Sequence, residues 1–116
     1  MKRHFNQKGV LLFFLFLYLT VLPARAAFLF IPMDETQKNH LKAYGIAFWV
    51  LQKEVEVSWL LNYRGGSFMF PYNKTLESEC TIRGVSYQII ADAQAAAILQ
   101  EISDPQVNME NIKLLA

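Results

Sequence analysis

Hydrophobic and polar positions follow three different rhythms along this chain. From Val10 to Leu22 the residues are apolar almost without interruption, preceded by Lys2, Arg3 and Lys8 and followed by Pro23 and Ala24-Arg25-Ala26. A basic start, an apolar stretch and small residues at the two positions a signal peptidase reads are the marks of a cleavable leader. The stretch has thirteen residues, short of the ~20 that an ordinary spanning helix needs. The pattern predicts a signal peptide over 1–26, cleaved after Ala26 in preference to being kept as an N-terminal anchor. The mature protein then begins at Ala27, is exported to the periplasm or secreted, and has no stable membrane anchor.

Beyond Ala26 the rhythm becomes that of short strands and helices. Phe28-Leu29-Phe30-Ile31 is a brief apolar run closed by Pro32 and Asp34, and reads as a buried strand or an extended lead-in. A helix is expected from near Thr36 to about Lys53, with Glu35, Thr36 or Asn39 as candidate caps. Ala43 to Leu51 is apolar almost all round that helix, so it should need cover on more than one side. Val55 to Tyr63 alternates: Val57, Trp59, Leu61 and Tyr63 share one face of a strand, Glu56, Ser58 and Asn62 the other, with Leu60 the exception. Gly65-Gly66 marks a turn, and Ser67 to Phe70 a second extended piece ended by Pro71. A weak helix over Thr75–Arg83 is stopped by Gly84, the residue suited to a left-handed cap. Val85–Ile90 reads as a strand. Asp92 is then expected to cap a helix over Ala93–Ile102 with the stripe Ala95, Ile98, Leu99, Ile102. Asp104-Pro105 closes it, and Met109–Leu115 reads as a turn of helix or the lead into another strand.

Strands alternating with helices predict an α/β fold, here a partial doubly wound, mostly parallel sheet with flanking helices. The chain stops in apolar sequence at Ile112-Lys113-Leu114-Leu115-Ala116, which suggests an incomplete α/β domain over 27–116.

Composition narrows the functional classes. Removing Lys2, Arg3, Lys8 and Arg25 leaves seven basic against ten acidic side chains, a net charge near −3. No basic patch remains for nucleic acid. Cys80 is the sole cysteine, so no intrachain disulfide can form, and no cysteine stands at the cleavage site to take a lipid. Its expected role is a small buried residue. His40 is the one histidine after Ala26, and nothing in the spacing pairs it with Cys80. One histidine and one cysteine do not build a zinc site. There is no phosphate loop, and Gly65-Gly66 lacks the remainder of a dinucleotide fingerprint. No metal or cofactor is expected. Asn73-Lys74-Thr75 is a glycosylation sequon, of consequence only in a eukaryotic secretory pathway.

In a parallel sheet, ligands bind beyond the carboxyl ends of strands. Three segments would end there, delivering Asp34, then Asn62-Tyr63-Arg64-Gly65-Gly66-Ser67, then Asp92. The middle one is the candidate ligand site: Asn62, Arg64, Gly65, Gly66 and Ser67. Arg64 can grip a small anionic ligand through paired hydrogen bonds, and the glycines let a ligand approach the backbone. The competing explanations are plain ones: a turn for Gly65-Gly66, a helix cap for Asp92, a solvated or capping pair for Asp34-Glu35. Trp49, Trp59 and the phenylalanines are most simply core residues.

Two longer runs carry a resemblance. His40 to Leu51 and Val57-Ser58-Trp59-Leu60-Leu61-Asn62-Tyr63-Arg64-Gly65-Gly66-Ser67-Phe68, with Gly84-Val85-Ser86-Tyr87 and Asp92-Ala93-Gln94-Ala95-Ala96, resemble the N-terminal part of a family of exported bacterial proteins labelled asparagine synthetase B. Members of that family are several times longer and continue into a larger amidotransferase-like α/β region. The resemblance implies that this chain is the N-terminal segment of such a protein. Its partners would then be the missing C-terminal region or another protein. It carries over no catalytic residue. Glutamine-dependent asparagine synthetases expose a cysteine directly after the initiator methionine, whereas this chain has Lys2, and cleavage would expose Ala27. The alternative is a non-catalytic periplasmic α/β binding or interaction module.

Overall fold

The computed structural model describes residues 26–115, so the leader expected over 1–26 lies, Ala26 apart, outside the described residues. The described elements are β1 (Ala27–Ile31), α1 (His40–Gln52), β2 (Val57–Leu61), β3 (Ser67–Pro71), α2 (Lys74–Arg83), β4 (Gln88–Ala91), α3 (Asp92–Ile102) and β5 (Glu110–Leu114). The strands form one five-stranded sheet in the order β4-β1-β3-β2-β5. Every pairing in it is antiparallel. The first six elements make a split β-α-β unit of the ferredoxin-like kind, in which β3 inserts between β1 and β2. α3 and β5 extend it by adding a strand outside β2.

The expectation of a mostly parallel, doubly wound sheet is thus corrected. Two physical features account for the difference. β2 and β3 are joined by only five residues, too short for the crossover a parallel pair requires. And continuous apolar runs, typical of parallel strands, mark burial on both faces by whatever means. Here β1 has helices on both sides, and Leu29, Phe30 and Ile31 are all buried.

Two apolar layers result. Leu29 and Ile31, Val57, Phe68 and Phe70 pack against Ala43, Ile46 and Val50 of α1 and Leu76 and Cys80 of α2. On the opposite face Phe30, Leu60, Met69 and Ile90 pack against Ala95 and Ile102 of α3. The expected stripe of α3 is the face it buries, with Ile98 and Leu99 partly covered. The register sets Leu29 opposite Phe70, Phe30 opposite Met69 and Ile31 opposite Phe68.

Helix ends follow local chemistry. Of the three candidate caps for α1, Asn39 is the one used: its side chain accepts from the Lys42 N–H at 3.0 Å. The helix therefore starts at His40 and not near Thr36. Asn73 caps α2, and Gly84 ends it in the left-handed region at φ 69°. Asp92 is not a cap. Ala91 holds that position, and Asp92 sits in the first turn of α3, where its charge suits the helix dipole. The apolar residues near the end of the chain pair with β2 as β5, placing Leu114 opposite Val57 and Ile112 opposite Trp59. Among the described residues no helix is long and apolar enough to cross a membrane.

Candidate functional site

β1 and β2 both run antiparallel to β3, so their carboxyl ends lie at the same end of the sheet. The β1–α1 loop, with Asp34, therefore meets the β2–β3 turn, with Asn62 to Gly66. β4 runs opposite to β1, which carries Asp92 to the other end, where its N–H donates to the Ala26 carbonyl at 3.0 Å. The structure brings together two of the three segments expected to converge, and separates the third because the sheet is antiparallel.

The β2–β3 turn is tight and partly left-handed. Asn62 has φ 62°, Arg64 φ 46°, Gly65 φ 84° and Gly66 φ 87°. Asparagine and glycine tolerate this region and arginine does so at a cost. The turn is tied by Gly66 N–H and Ser67 N–H donating to the Tyr63 carbonyl at 3.0 Å each. Trp59 Nε1 donates to the Gly66 carbonyl at 3.1 Å, and Asn62 Nδ2 to the Asn108 carbonyl at 2.9 Å.

The turn then clasps the β1–α1 loop. Arg64 Nε donates to Asp34 Oδ2 at 2.7 Å, and Arg64 Nη2 to Thr36 Oγ1 at 3.2 Å. Thr36 in turn donates its hydroxyl to Asp34 Oδ1 at 2.6 Å and its N–H at 3.1 Å. The guanidinium lies 5.3 Å from the centre of the Phe30 ring, a cation–π distance. Hydrogen bonding from Arg64, then from Thr36, holds the Asp34 carboxyl well below the usual carboxylate range. Ser67, fully buried, accepts from the Met33 N–H at 3.3 Å and donates to the Arg64 carbonyl at 3.0 Å. Met33 N–H also reaches the Arg64 carbonyl at 3.2 Å. His40 Nε2 faces the Met33 and Asp34 carbonyls at 3.0 and 2.9 Å. As both are acceptors, that nitrogen carries the hydrogen.

The close approach that glycine permits at position 65 is made by this chain itself. A Cβ there would lie 2.4 Å from the Met33 carbonyl oxygen. An anion reaching Arg64 has to share it with Asp34. Chemically the cluster is a paired, charge-neutral clasp.

One residue in this region went unforeseen. Gln37 is buried and joins two loops. Its Nε2 donates to the Pro32 and Ser86 carbonyls at 2.8 and 2.9 Å, and its Oε1 accepts from the Ser86 N–H at 2.7 Å. No periodicity or motif announces such a residue. Cys80 lies in the apolar layer beneath α2, and burial pushes its thiol up to about 11. It is thus separated from His40, which sits in the clasp. Among the described residues no group of three or more His, Cys, Asp or Glu side chains could hold a metal ion.

Comparison with protein families, with curated proteins and with solved structures finds no match.

Proposed function

We propose that this chain is a non-catalytic N-terminal segment of an exported protein related to the family labelled asparagine synthetase B. Its part is to supply a rigid αβ surface to the protein's remaining region or to a partner. The observation that carries this is the use made of the most specific resembling run, Asn62 to Phe68. Asn62 ties the turn to the loop before β5, Arg64 holds Asp34, Gly65 accommodates Met33, and Ser67 bridges Met33 and Arg64. Residues serving one another in this way favour an architectural role. Any amidotransferase-like chemistry then belongs to residues outside this chain.

Two measurements test it. N-terminal sequencing of the exported protein should find Ala27 first, and thermal shift assays with glutamine, aspartate and phosphate should show no ligand-dependent stabilisation. A saturable shift with one of these ligands, lost in Arg64→Lys, would overturn the reading. Lysine keeps the charge but not the paired geometry. That outcome favours the second reading, an anion-binding module. One observation supports it: Arg64 is held at φ 46°, and strained backbone gathers at binding sites.

A further inference from the structure

A cleft opens at the end of the sheet opposite the Arg64 clasp, where α1 hands over to β2 and β3 to α2. β3 starts beside the clasp at Ser67 and ends at Pro71, so Tyr72 lies at that far end. α1 ends at Gln52, and Glu54 takes the left-handed φ of 62°. The turn it makes brings Lys53 and Val55 to the same cleft. The volume is about 520 Å³, within the range of small-ligand sites. Val55 and the buried Leu76 give it an apolar lining, and Trp49 and Tyr72 give it two aromatic walls. Lys53 and the Thr75 hydroxyl are polar groups on the same lining, and no carboxylate lines it.

Both aromatic walls are held in place by the protein itself. Tyr72 N–H donates to the Ala27 carbonyl at 2.9 Å, and the Tyr72 hydroxyl donates to Glu77 Oε1 at 2.8 Å. Tyr87 donates to the other oxygen of that carboxylate at 3.1 Å. Trp49 is flanked by two cations, with Lys53 Nζ 5.1 Å and Arg83 Cζ 5.6 Å from the centre of its ring. The two cations differ. Arg83 Nε donates to Glu79 Oε1 at 2.8 Å and is neutralised there. Among the described residues Lys53 has no carboxylate partner. The cleft therefore sets ring faces beside one unpaired positive charge, in a chain whose net charge after the expected cleavage is near −3.

We propose that this cleft binds a small aromatic carboxylate, its ring against Trp49 and Tyr72 and its carboxylate on the Lys53 ammonium, with the Thr75 hydroxyl as a further donor. Aromatic walls favour a flat ring, stacked or edge-on. An ammonium with no carboxylate beside it in the lining favours an anion over an amine. Phosphate alone would meet Lys53 and leave the aromatic walls bare, whereas a sugar would cover the walls and leave the ammonium unpaired. Such binding requires nothing of the family resemblance, and its failure would leave the proposed function standing. Glutamine, aspartate and phosphate carry no ring for these walls, so the two sets of measurements read different sites.

Ligand-observed NMR titrations of the purified protein with phenylacetate, phenylacetamide and phenethylamine test it. Phenylacetate should bind saturably, with a Kd of about 1 mM. The uncharged amide should bind about tenfold more weakly, and the amine should not saturate. Lys53→Gln, at an exposed position, should reduce the affinity for phenylacetate to that for the amide and leave the amide unaffected. Tyr72→Ala should weaken acid and amide alike, by about threefold or more. Lys113→Gln, at an exposed lysine on β5, should change neither. Failure of phenylacetate to saturate, equal binding of acid and amine, or an affinity for the acid untouched by Lys53→Gln would each overturn the proposal.

Discussion

Adding one methyl group at position 65 should unfasten the clasp between the β1–α1 loop and the β2–β3 turn. Gly65 has φ 84°, and a Cβ there would stand 2.4 Å from the Met33 carbonyl oxygen and 3.0 Å from the Asp34 nitrogen. Two costs add. A left-handed alanine costs about 1–2 kcal/mol. The contact is with backbone, so it is relieved only by moving the loop, which strains the bonds from Met33 N–H to Ser67 and Arg64 at about 1 kcal/mol each. The sum is about 3–4 kcal/mol. For a domain of this size each kcal/mol lowers Tm by about 4–8 °C, so Gly65→Ala should melt roughly 15–25 °C lower. Gly84 is the internal control, since it has φ 69° but nothing within 4 Å of its added Cβ. Gly84→Ala should carry the conformational cost alone, about 1–2 kcal/mol or roughly 5–15 °C. Circular dichroism melts of the two variants and the parent protein make the comparison. Equal losses at the two positions would refute the reasoning, because the loop against Gly65 would then yield at no cost.

Four further outcomes are expected. Gln37→Leu strands the Ser86 N–H and two carbonyls, and should cost about 2–4 kcal/mol in urea unfolding. The Asp34 carboxyl is depressed in the folded state, so its stabilising effect is complete above the unfolded value of about 4 and is lost as pH falls below it. Asp34→Asn should accordingly flatten the acid side of a Tm–pH profile. Cys80 shows the opposite sign: its folded value is pushed up to about 11, so the unfolded chain loses the proton first and stability should decline as pH rises from about 9 toward 11. A maleimide at pH 8 should label it only as fast as the protein opens. Asn73→Ala removes the α2 cap, whose side chain accepts from the Thr75 N–H at 2.8 Å, and should cost about 1 kcal/mol by thermal melt.

How much of this was legible beforehand depends on the range of each interaction. The stop at Gly84 and the stripe of α3 are decided within a turn or a few residues, and each is visible in the chain; the alternation expected for β2 holds for Val57 and Trp59 but not for Tyr63, which follows the strand and packs with Leu60 on the opposite layer. The cap at Asn39 was one of three candidates, separable only once Asp34 and Thr36 are seen bonded to each other. The cluster Asn62, Arg64, Gly65, Gly66 and Ser67 stood out because polar and small residues follow a strand there. Its internal partners did not, since Asp34 lies 30 residues away and Met33 lies 34 from Ser67. Trp49 and Trp59 are half-buried, as core-flanking residues can be, but Phe48 is exposed. An apolar helix declares that it wants cover, not which side receives it.

The sequence by itself determined which segments from β1 to α3 are strands and which are helices, because hydrophobic period and capping chemistry act locally; it left open the type of the last segment, which becomes a strand by pairing with β2. The tertiary structure alone decided their order and direction. A buried apolar run looks the same whether its neighbours run parallel or antiparallel, and only the insertion of β3 between β1 and β2 makes this sheet antiparallel. The same long-range choice set Arg64 on Asp34, sent Asp92 to the far end, and placed β5 at the edge of the sheet beside β2.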